Sequence, residues 1–484
     1  MIQMESYPCP LPHHALHVTA RDSFLYRTRR AKEAVDKAHF GFEEFKQWHV
    51  PPLTARYLAR CDGRTTHGEI ARELGEGVPH LGELLANQVA QVLVEDIGAI
   101  EMRDRPIEGP PAMKVTGGFD SFAPSHISFE ITDTCNFRCD HCYVSASPEK
   151  HGRKNGAETM AMLDRLAEHG VRVVELTGGE CTTHPEFKEI LHHASEAFLL
   201  VGVITNGYLL GRRADLAEFV AQHANVMVQV SLDGLRDFHD RFRGMEGSFD
   251  MACEAIRRLR ARGTFVRLAM SVSSDNLDHV EGVFLLAREL GVNVFSVAPV
   301  TTFGRGAGLM GCPEMEFHVM HRLNEILAPY ADDPLFEALR RERAGSADRH
   351  EINCGAGWRS FALNSDGRVR SCLYLVDSKK FGNLDTEDYD EIFRRKEMHM
   401  FRNAPSPGGA ECQGPQPDGS ERCRYLPVCT GCFAKALRVS ETDYPQCPWR
   451  AKWFPGMKLA LEEPEPVVRV ESLVRRRPAT VRGW

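Results

Sequence analysis

No run of apolar residues in this 484-residue chain approaches the ~18 that a membrane-spanning helix needs, so no membrane is expected as a partner. Met1 to Pro10 lacks both a basic segment and an apolar stretch, and no signal peptide is read there. An excess of positive charge is missing too. With 59 Lys and Arg against 67 Asp and Glu, the formal net charge is −8, which gives no reason to expect nucleic acid. Hydrophobic content of 43% with 26% charged residues is that of an ordinary globular protein. The length suits about two to four domains. What the chain has in plenty is cysteine, 15 in all. Without an export signal, these argue for metal ligation in a reducing cytoplasm rather than for disulfides.

Three of them fall in Cys135-Asn136-Phe137-Arg138-Cys139-Asp140-His141-Cys142-Tyr143. The preceding His126 to Thr132 alternates Ile127, Phe129 and Ile131 with polar residues, as in a half-buried strand, so the cysteines sit in a loop at a strand's carboxyl end. Thiolates are soft ligands that suit iron–sulfur clusters or zinc. Both a structural zinc and a complete four-iron cube take four protein ligands, and no fourth cysteine is near. A four-iron cluster with one open iron meets that count; a zinc knuckle or buried thiols are the alternative. The spacing, with an aromatic directly after the third cysteine, resembles the radical S-adenosylmethionine (SAM) enzymes. The resemblance implies that Cys135, Cys139 and Cys142 hold a [4Fe–4S] cluster whose open iron binds SAM.

From Ser125 onward, strands and helices alternate six times. Strand-like runs are 126–132, 172–177, 199–205, 226–232, 265–272 and 293–300. Helical patterns lie near 157–169, 186–197, 212–223, 249–262, 278–290 and 313–331. This alternation predicts an α/β domain, about 120–335, with a parallel sheet and right-handed crossovers. Six units agree with the partial (β/α)6 barrel of the radical SAM family, whose chemistry belongs at the carboxyl ends of the strands.

The remaining motifs fall there. Gly178-Gly179-Glu180 follows the second strand; by resemblance it holds the amino group of SAM's methionine, with glycines letting the backbone approach and the acid pairing with an ammonium. Family members often carry proline next, where this chain has Cys181, which is neutral or puts a thiol near the site. Asn206 ends the third strand and Ser231 the fourth, with Arg243 soon after. These resemble the family's ribose- and carboxylate-facing positions, Ser231 and Arg243 above all, a guanidinium being well shaped to hold a carboxylate. Ala298-Pro299 and Gly304-Arg305-Gly306 are candidates to pass close to adenine. His239 is read as structural.

Residues 20–104 read as a separate unit. Ser23 to Arg27 alternates like a strand, and Phe40 to Trp48 carries four aromatics. Helices start after Pro51-Pro52 and at Thr66, which is placed as a cap. A longer amphipathic helix follows, with Leu81, Leu84, Leu85, Gln88, Val89 and Val92 on one side, and a strand-like 98–102 closes the unit. Leu58-Ala59-Arg60-Cys61-Asp62-Gly63 ahead of a helix with Glu69-Ile70-Ala71 resembles the winged-helix-like domain that recognises leader peptides of ribosomally made, post-translationally modified peptides. Such domains take the leader as an added strand. A small helical cap without a partner is the plainer reading.

Cysteines return in 350–455. Cys354, twelve residues, Gly367, four residues and Cys372 are followed by Cys412, Cys423, Cys429, Cys432 and Cys447. Phe361 to Cys372 reads as a hairpin with an Asp366-Gly367 turn, which brings Cys354 and Cys372 together. The set resembles the SPASM extension, which holds auxiliary iron–sulfur clusters. The family pattern assigns Cys354, Cys372 and Cys432 to one and Cys412, Cys423, Cys429 and Cys447 to the other. Ten residues separate Cys412 from Cys423 where the family has two, an insertion that reads as a loop. Seven cysteines for two four-iron clusters leave one ligand short. Cys312, a carboxylate such as Asp377, a smaller cluster or a substrate cysteine would fill the gap. Cys9, Cys61, Cys181 and Cys253 are left as free thiols, and 456–484 as a charged, proline-broken tail.

The three modules in this order resemble peptide maturases. The resemblance implies a cytoplasmic radical SAM enzyme that takes a leader-bearing peptide or small protein subunit and an electron from a flavodoxin- or ferredoxin-type donor. A 5′-deoxyadenosyl radical then removes a hydrogen from the peptide. Cysteine-to-carbon thioether crosslinks, as in sactipeptides or the crosslinked subunit of quinohemoprotein amine dehydrogenase, are the favoured product. Carbon–carbon crosslinking and sulfatase-type formylglycine formation are the alternatives.

Overall fold

Short strands and helices of the amino-terminal unit come first in the computed structural model. It describes residues 2–11, 14–19, 23–27, 47–76, 78–109, 113–119, 124, 126–310, 313–336, 354–375, 381–429 and 431–457. Most of the Phe40–Trp48 run, Cys312, Asp377 and the tail from 458 lie outside those residues. Strand β1 (Tyr7–Pro10) is followed by β2 (His14–Val18), β3 (Ser23–Arg27) and β4 (Gln47–Val50). Three helices follow, α1 (Pro52–Ala59), α2 (His67–Leu74) and α3 (Pro79–Gln91), then β5 (Ile100–Arg103) and β6 (Lys114–Gly117). One sheet runs in the order β4-β3-β2-β6, with β6 parallel to β2, and β1 pairs with β5. The unit therefore reaches past both ends of the 20–104 span. Its outlying strands are too short, at four or five residues, to show an alternation by themselves.

Thr66 caps α2 as expected, its hydroxyl accepting from the Glu69 N–H while the Glu69 carboxylate accepts from Thr66. The apolar face read on α3 is rotated, however. Gly82, Ala86, Val89 and Ala90 are buried, while Leu81, Leu84 and, just beyond the helix, Val92 are exposed. Small residues win the inner side because α2 lies so close: a Cβ on Gly82 would come within 2.1 Å of the Ala71 carbonyl.

This unit seats on the segment that leads into the barrel's second strand. His17 of β2 is fully buried, Nδ1 3.0 Å from the Thr116 hydroxyl, and a Cβ on Gly170 would overlap its ring. Arg172 is also buried, its guanidinium 4.0 Å from the centre of the Phe24 ring on β3.

The barrel strands are β7 (His126–Thr132), β8 (Val173–Gly178), β9 (Leu200–Thr205), β10 (Val226–Ser231), β11 (Phe265–Val272) and β12 (Val294–Pro299), parallel neighbours in chain order. Between them lie α4 (Gly156–Glu168), α5 (Phe187–Ala197), α6 (Tyr208–Arg212), α7 (Ala214–Ala221), α8 (Arg236–Arg243), α9 (Ser248–Arg260) and α10 (Val280–Glu289); α11 (Ala307–Met310) and α12 (Pro313–Leu327) follow. Alternation shows the two faces clearly on β11. Val266, Leu268, Met270 and Val272 join the core under the helices, while Arg267, Ala269 and Ser271 are half-buried on the inner face. At the strands' beginnings Val173, Leu200, Met227, Phe265 and Val294 meet as a separate apolar cluster that plugs the barrel floor. The fold class read from the sequence stands.

The expected hairpin forms from β13 (Ser360–Leu363) and β14 (Val369–Arg370). It does more than join two cysteines. β13 pairs in parallel with β7, so the sheet runs on as eight strands, β12-β11-β10-β9-β8-β7-β13-β14, across the boundary drawn between barrel and SPASM domains.

Candidate active site

The cysteine loop sits where β7 ends. Cys135 and Cys139 are buried, Cys142 half-buried, and Cys139 and Cys142 lie close enough to Cys135 to raise its proton affinity. Burial pushes the Cys139 thiol up to about 12, with Arg243 pulling the other way. Backbone N–H groups of Phe137 (3.4 Å) and Ala146 (3.3 Å) point at the Cys135 and Cys142 sulfurs. Soft thiols costly to ionise alone, with N–H donors on their sulfurs, fit an iron–sulfur cluster, whose positive irons favour thiolate. Among the described residues no three His, Cys, Asp or Glu side chains converge as tightly as one metal ion requires. A four-iron cluster, with one thiolate per iron, does not ask that of them.

The glycines after β8 serve this loop. Gly178 has φ +129°, and a Cβ there would come within 2.2 Å of the Thr132 carbonyl; one on Gly179 would come within 2.3 Å of the Thr134 carbonyl. The Gly179 N–H donates to Thr132 and the Glu180 N–H to Thr134. Close approach of backbone to backbone thus accounts for both glycines. Glu180 is buried and accepts four hydrogen bonds: from the Thr182 N–H (3.2 Å) and hydroxyl, the Thr205 hydroxyl (2.7 Å) and the Asn206 N–H (2.7 Å). Burial leaves its carboxyl above the usual value despite these bonds. Asn206 in turn donates to the Asn136 side chain (2.9 Å) inside the cysteine loop. Cys181 is buried with its thiol toward the Ile204 carbonyl.

Ser231 is half-buried at the end of β10. Arg243, at the end of α8, is engaged by the chain itself, with Nε (2.8 Å) and an Nη (2.7 Å) on the same oxygen of buried Asp233. His141 lies 3.3 Å from that oxygen and stacks on Phe242. Burial would raise Asp233, but Arg243 and the two histidines nearby hold it low. His239, read as structural, accepts from the Asp233 N–H.

Gly304-Arg305-Gly306 fastens the cysteine loop. Arg305 donates to the carbonyls of Cys139 and Ala146 (2.8 Å each) and its N–H to that of Cys142 (3.0 Å), a clamp on the cysteine loop. Sequence reasoning also missed Glu130. Buried on β7, it pairs with Arg370 of β14 and accepts from Tyr143 (3.0 Å), and Tyr143 meets Tyr374 edge to face. The two cysteine fields are bridged by this chain of contacts.

In the second field the cysteines gather near one another. Cys372 lies within electrostatic range of Cys432 and Cys354. Cys429 lies in range of Cys423, Cys447, Cys412 and, more weakly, Cys432, and Cys412, Cys423, Cys429 and Cys447 line one pocket together with Tyr425 and Trp449. The insertion loops out cleanly, so that the Cys423 N–H donates to the Cys412 carbonyl (2.9 Å).

A cluster loop on the first strand of a six-unit barrel, with a cysteine-rich extension sharing its sheet, defines a class of enzyme. The chain belongs to the radical SAM superfamily, which it matches over residues 129–287, and it carries an iron–sulfur cluster-binding SPASM domain over 354–433. Its cofactors are a [4Fe–4S] cluster with SAM and auxiliary iron–sulfur clusters. It is similar to the antilisterial bacteriocin subtilosin biosynthesis protein AlbA of Bacillus subtilis, 33% identical over 69% of this chain and 73% of AlbA. It is also similar to an AdoMet-dependent heme synthase of Methanosarcina barkeri, 29% identical over 69% of this chain and 98% of the synthase. The fold matches that of Streptococcus suis SuiB bound to precursor peptide SuiA, with a TM-score of 0.58 and 15% identity over 91% of this chain and 98% of SuiB. No helix among the described residues is long and apolar enough to cross a membrane.

Proposed function

We propose that this chain modifies a ribosomally made, leader-bearing peptide, with cysteine-to-carbon thioether formation the favoured reaction. The observation that carries the peptide reading is the amino-terminal sheet. Among the described residues nothing pairs with the outer edge of β4, and the same unit leaves Leu81, Leu84 and Val92 exposed. An unpaired edge offers main-chain donors and acceptors to an extended peptide, and exposed apolar side chains elsewhere on the unit offer it further contacts. AlbA's part in making a bacteriocin and SuiB's bound precursor peptide support the same reading.

Cys135, Cys139 and Cys142 would hold the SAM-binding cluster, with Gly178, Gly179, Glu180, Asn206, Ser231 and Arg243 shaping the SAM site. The bound cofactor supplies one-electron cleavage of SAM and so a carbon-centred radical able to take hydrogen from the peptide. Glu180 and Arg243 act here by positioning. Glu180 fastens the ends of β8 and β9 together, and Arg243 keeps Asp233 and His141 in place beneath the cysteine loop. Arg305 clamps the cysteine loop, and Glu130, paired with Arg370, ties the loop's strand to the auxiliary domain. Cys354, Cys372 and Cys432 would hold one auxiliary cluster, and Cys412, Cys423, Cys429 and Cys447 the other.

Three thiols on the first auxiliary cluster leave a place for the peptide's own cysteine. A metal-bound thiol is deprotonated outright, which would present its sulfur to a carbon radical. Reduced enzyme should then show one auxiliary electron paramagnetic resonance signal that changes only when the peptide cysteine is present. A spectrum indifferent to that cysteine, or loss of the cluster in Cys312→Ala, rejects this arrangement. Mass spectrometry of the peptide decides the reaction: loss of two hydrogens with the cysteine masked marks a thioether. The same mass loss with a free cysteine marks carbon–carbon crosslinking, and an aldehyde marks the formylglycine route. A second reading, action on a tetrapyrrole, is favoured by the heme synthase match, which covers nearly all of that enzyme. An unaltered peptide beside an altered porphyrin would support it.

A further inference from the structure

We propose that Arg267 is a carboxylate receptor inside the barrel, holding an acidic side chain or chain terminus of the substrate below the SAM site. Arg267 stands one layer above the apolar floor, two residues on from Phe265 along the inner face of β11. Its layer is polar: Gln229 lies beside it in register on β10, and Glu175 faces in from β8. The five N–H groups of a guanidinium have no use for an apolar floor and need acceptors.

The described residues supply none. Arg267 makes no hydrogen bond or ion pair with any described residue, and its Nε is shut off from solvent without a partner. Buried polar groups are nearly always satisfied, so an orphan donor in the lumen calls for a ligand. Glu175, the nearby carboxylate, is already taken, accepting from the Ser128 hydroxyl (2.6 Å) with His126 Nε2 3.4 Å away, and it acts on Arg267 only through space. Two buried guanidiniums near the mouth behave differently. Arg243 holds Asp233 and Arg370 holds Glu130, so each has its carboxylate within the chain.

A planar fork with no acceptor matches a carboxylate, which takes two parallel N–H bonds. Two sources exist, the methionine end of SAM and the substrate. Height in the barrel favours the substrate. Arg267 lies four residues below Ser271 on β11, about 13 Å at the strand rise. The Ser271 N–H binds Asp233, which sits with His141 at the level of the cysteine loop where SAM is held. This assignment rests on the peptide reading above, but the receptor itself is testable without a peptide.

The test treats reconstituted holoenzyme with phenylglyoxal, which modifies guanidiniums, and follows the Arg267 adduct by mass spectrometry. The probes are N-acetylglutamate and, as its uncharged counterpart, N-acetylglutamine at equal ionic strength, each with SAM bound. Labelling at Arg267 should slow at least fivefold with the glutamate probe and not with the amide. SAM alone should protect little. Protection by SAM as strong as by the probe would overturn the substrate assignment, and equal labelling under all conditions would overturn the receptor. Once a peptide substrate is in hand, Arg267→Lys and Arg267→Gln should both raise its KM at least tenfold while SAM affinity stays within twofold. An unchanged peptide KM would count against the proposal. Wild-type enzyme that leaves every peptide untouched but shows the protection would reject the peptide reading alone.

Discussion

At Glu180 four donors of the chain converge on one carboxylate, and the two glycines before it are explained by backbone packing. Residue identity was legible from spacing here; the partners within the chain were not. The sequence places Gly178, Gly179, Glu180 and Arg243 near the cysteine loop, and near it they are. Which group each side chain holds depends on partners far along the chain, such as Thr205 for Glu180, and no local pattern announces those. Arg305 shows the same limit, its partners Cys139 and Ala146 lying more than 150 positions away. The cysteine fields are the easier case, because thiol spacing marks candidate ligands without reference to distant partners. Replacing Cys135, Cys139 and Cys142 together with alanine should abolish 5′-deoxyadenosine formation and lower iron by about one four-iron cluster while the auxiliary clusters still assemble. Iron analysis and a chromatographic assay check this, and retained cleavage of SAM would defeat the ligand assignment.

Among the elements, the barrel strands were readable almost to the residue because alternation and length agree along them. Helix α3 was not. Its leucines suggested the inner face, yet Gly82, Ala86 and Ala90 take it, since the spacing to α2 admits only small side chains. Composition alone cannot tell an apolar row that is buried from one left open for a partner. The exposed row carries its own prediction. Leu81→Glu with Leu84→Glu should leave stability nearly unchanged, within roughly 0.5 kcal/mol per site, because neither side chain is in the core. Peptide affinity should fall tenfold or more, while peptide-independent cleavage of SAM persists. Binding measured by titration at wild-type strength would remove α3 from peptide recognition.

At the scale of the whole molecule, two joints hold the modules in place. One is the shared sheet, in which β13 continues the barrel beside β7. A chain ending at residue 336 would leave the β7 edge bare, and such a fragment should aggregate where the full chain does not. Light scattering of the two proteins compares them directly. The other joint is the seat of the amino-terminal unit on Gly170 and Arg172. Burial, with Arg172 beside it, holds His17 down to about 3, against an ordinary value near 6.5. Between these values the unfolded chain carries more protons than the folded one. Stability therefore falls as pH drops below about 6.5, at up to about 1.4 kcal/mol per unit. Thermal melting of the amino-terminal unit from pH 7 to 5 should show this slope, and His17→Gln should flatten it. An identical slope in the variant would place the titration elsewhere.

That seat also sets a length scale. Gly170 and Arg172 precede β8, so the amino-terminal unit rests at the barrel's base, whereas the cysteine loop lies at the far end of the strands. The six residues of β8 span roughly 20 Å. A peptide paired with β4 would have to cover at least that height before its reactive residue could meet the cluster. Its recognition segment and its first modified position must then be separated by a spacer of no fewer than about six residues, even fully extended. Precursors trimmed below that number should bind normally yet remain unprocessed, so the protein would measure its substrate as well as recognise it.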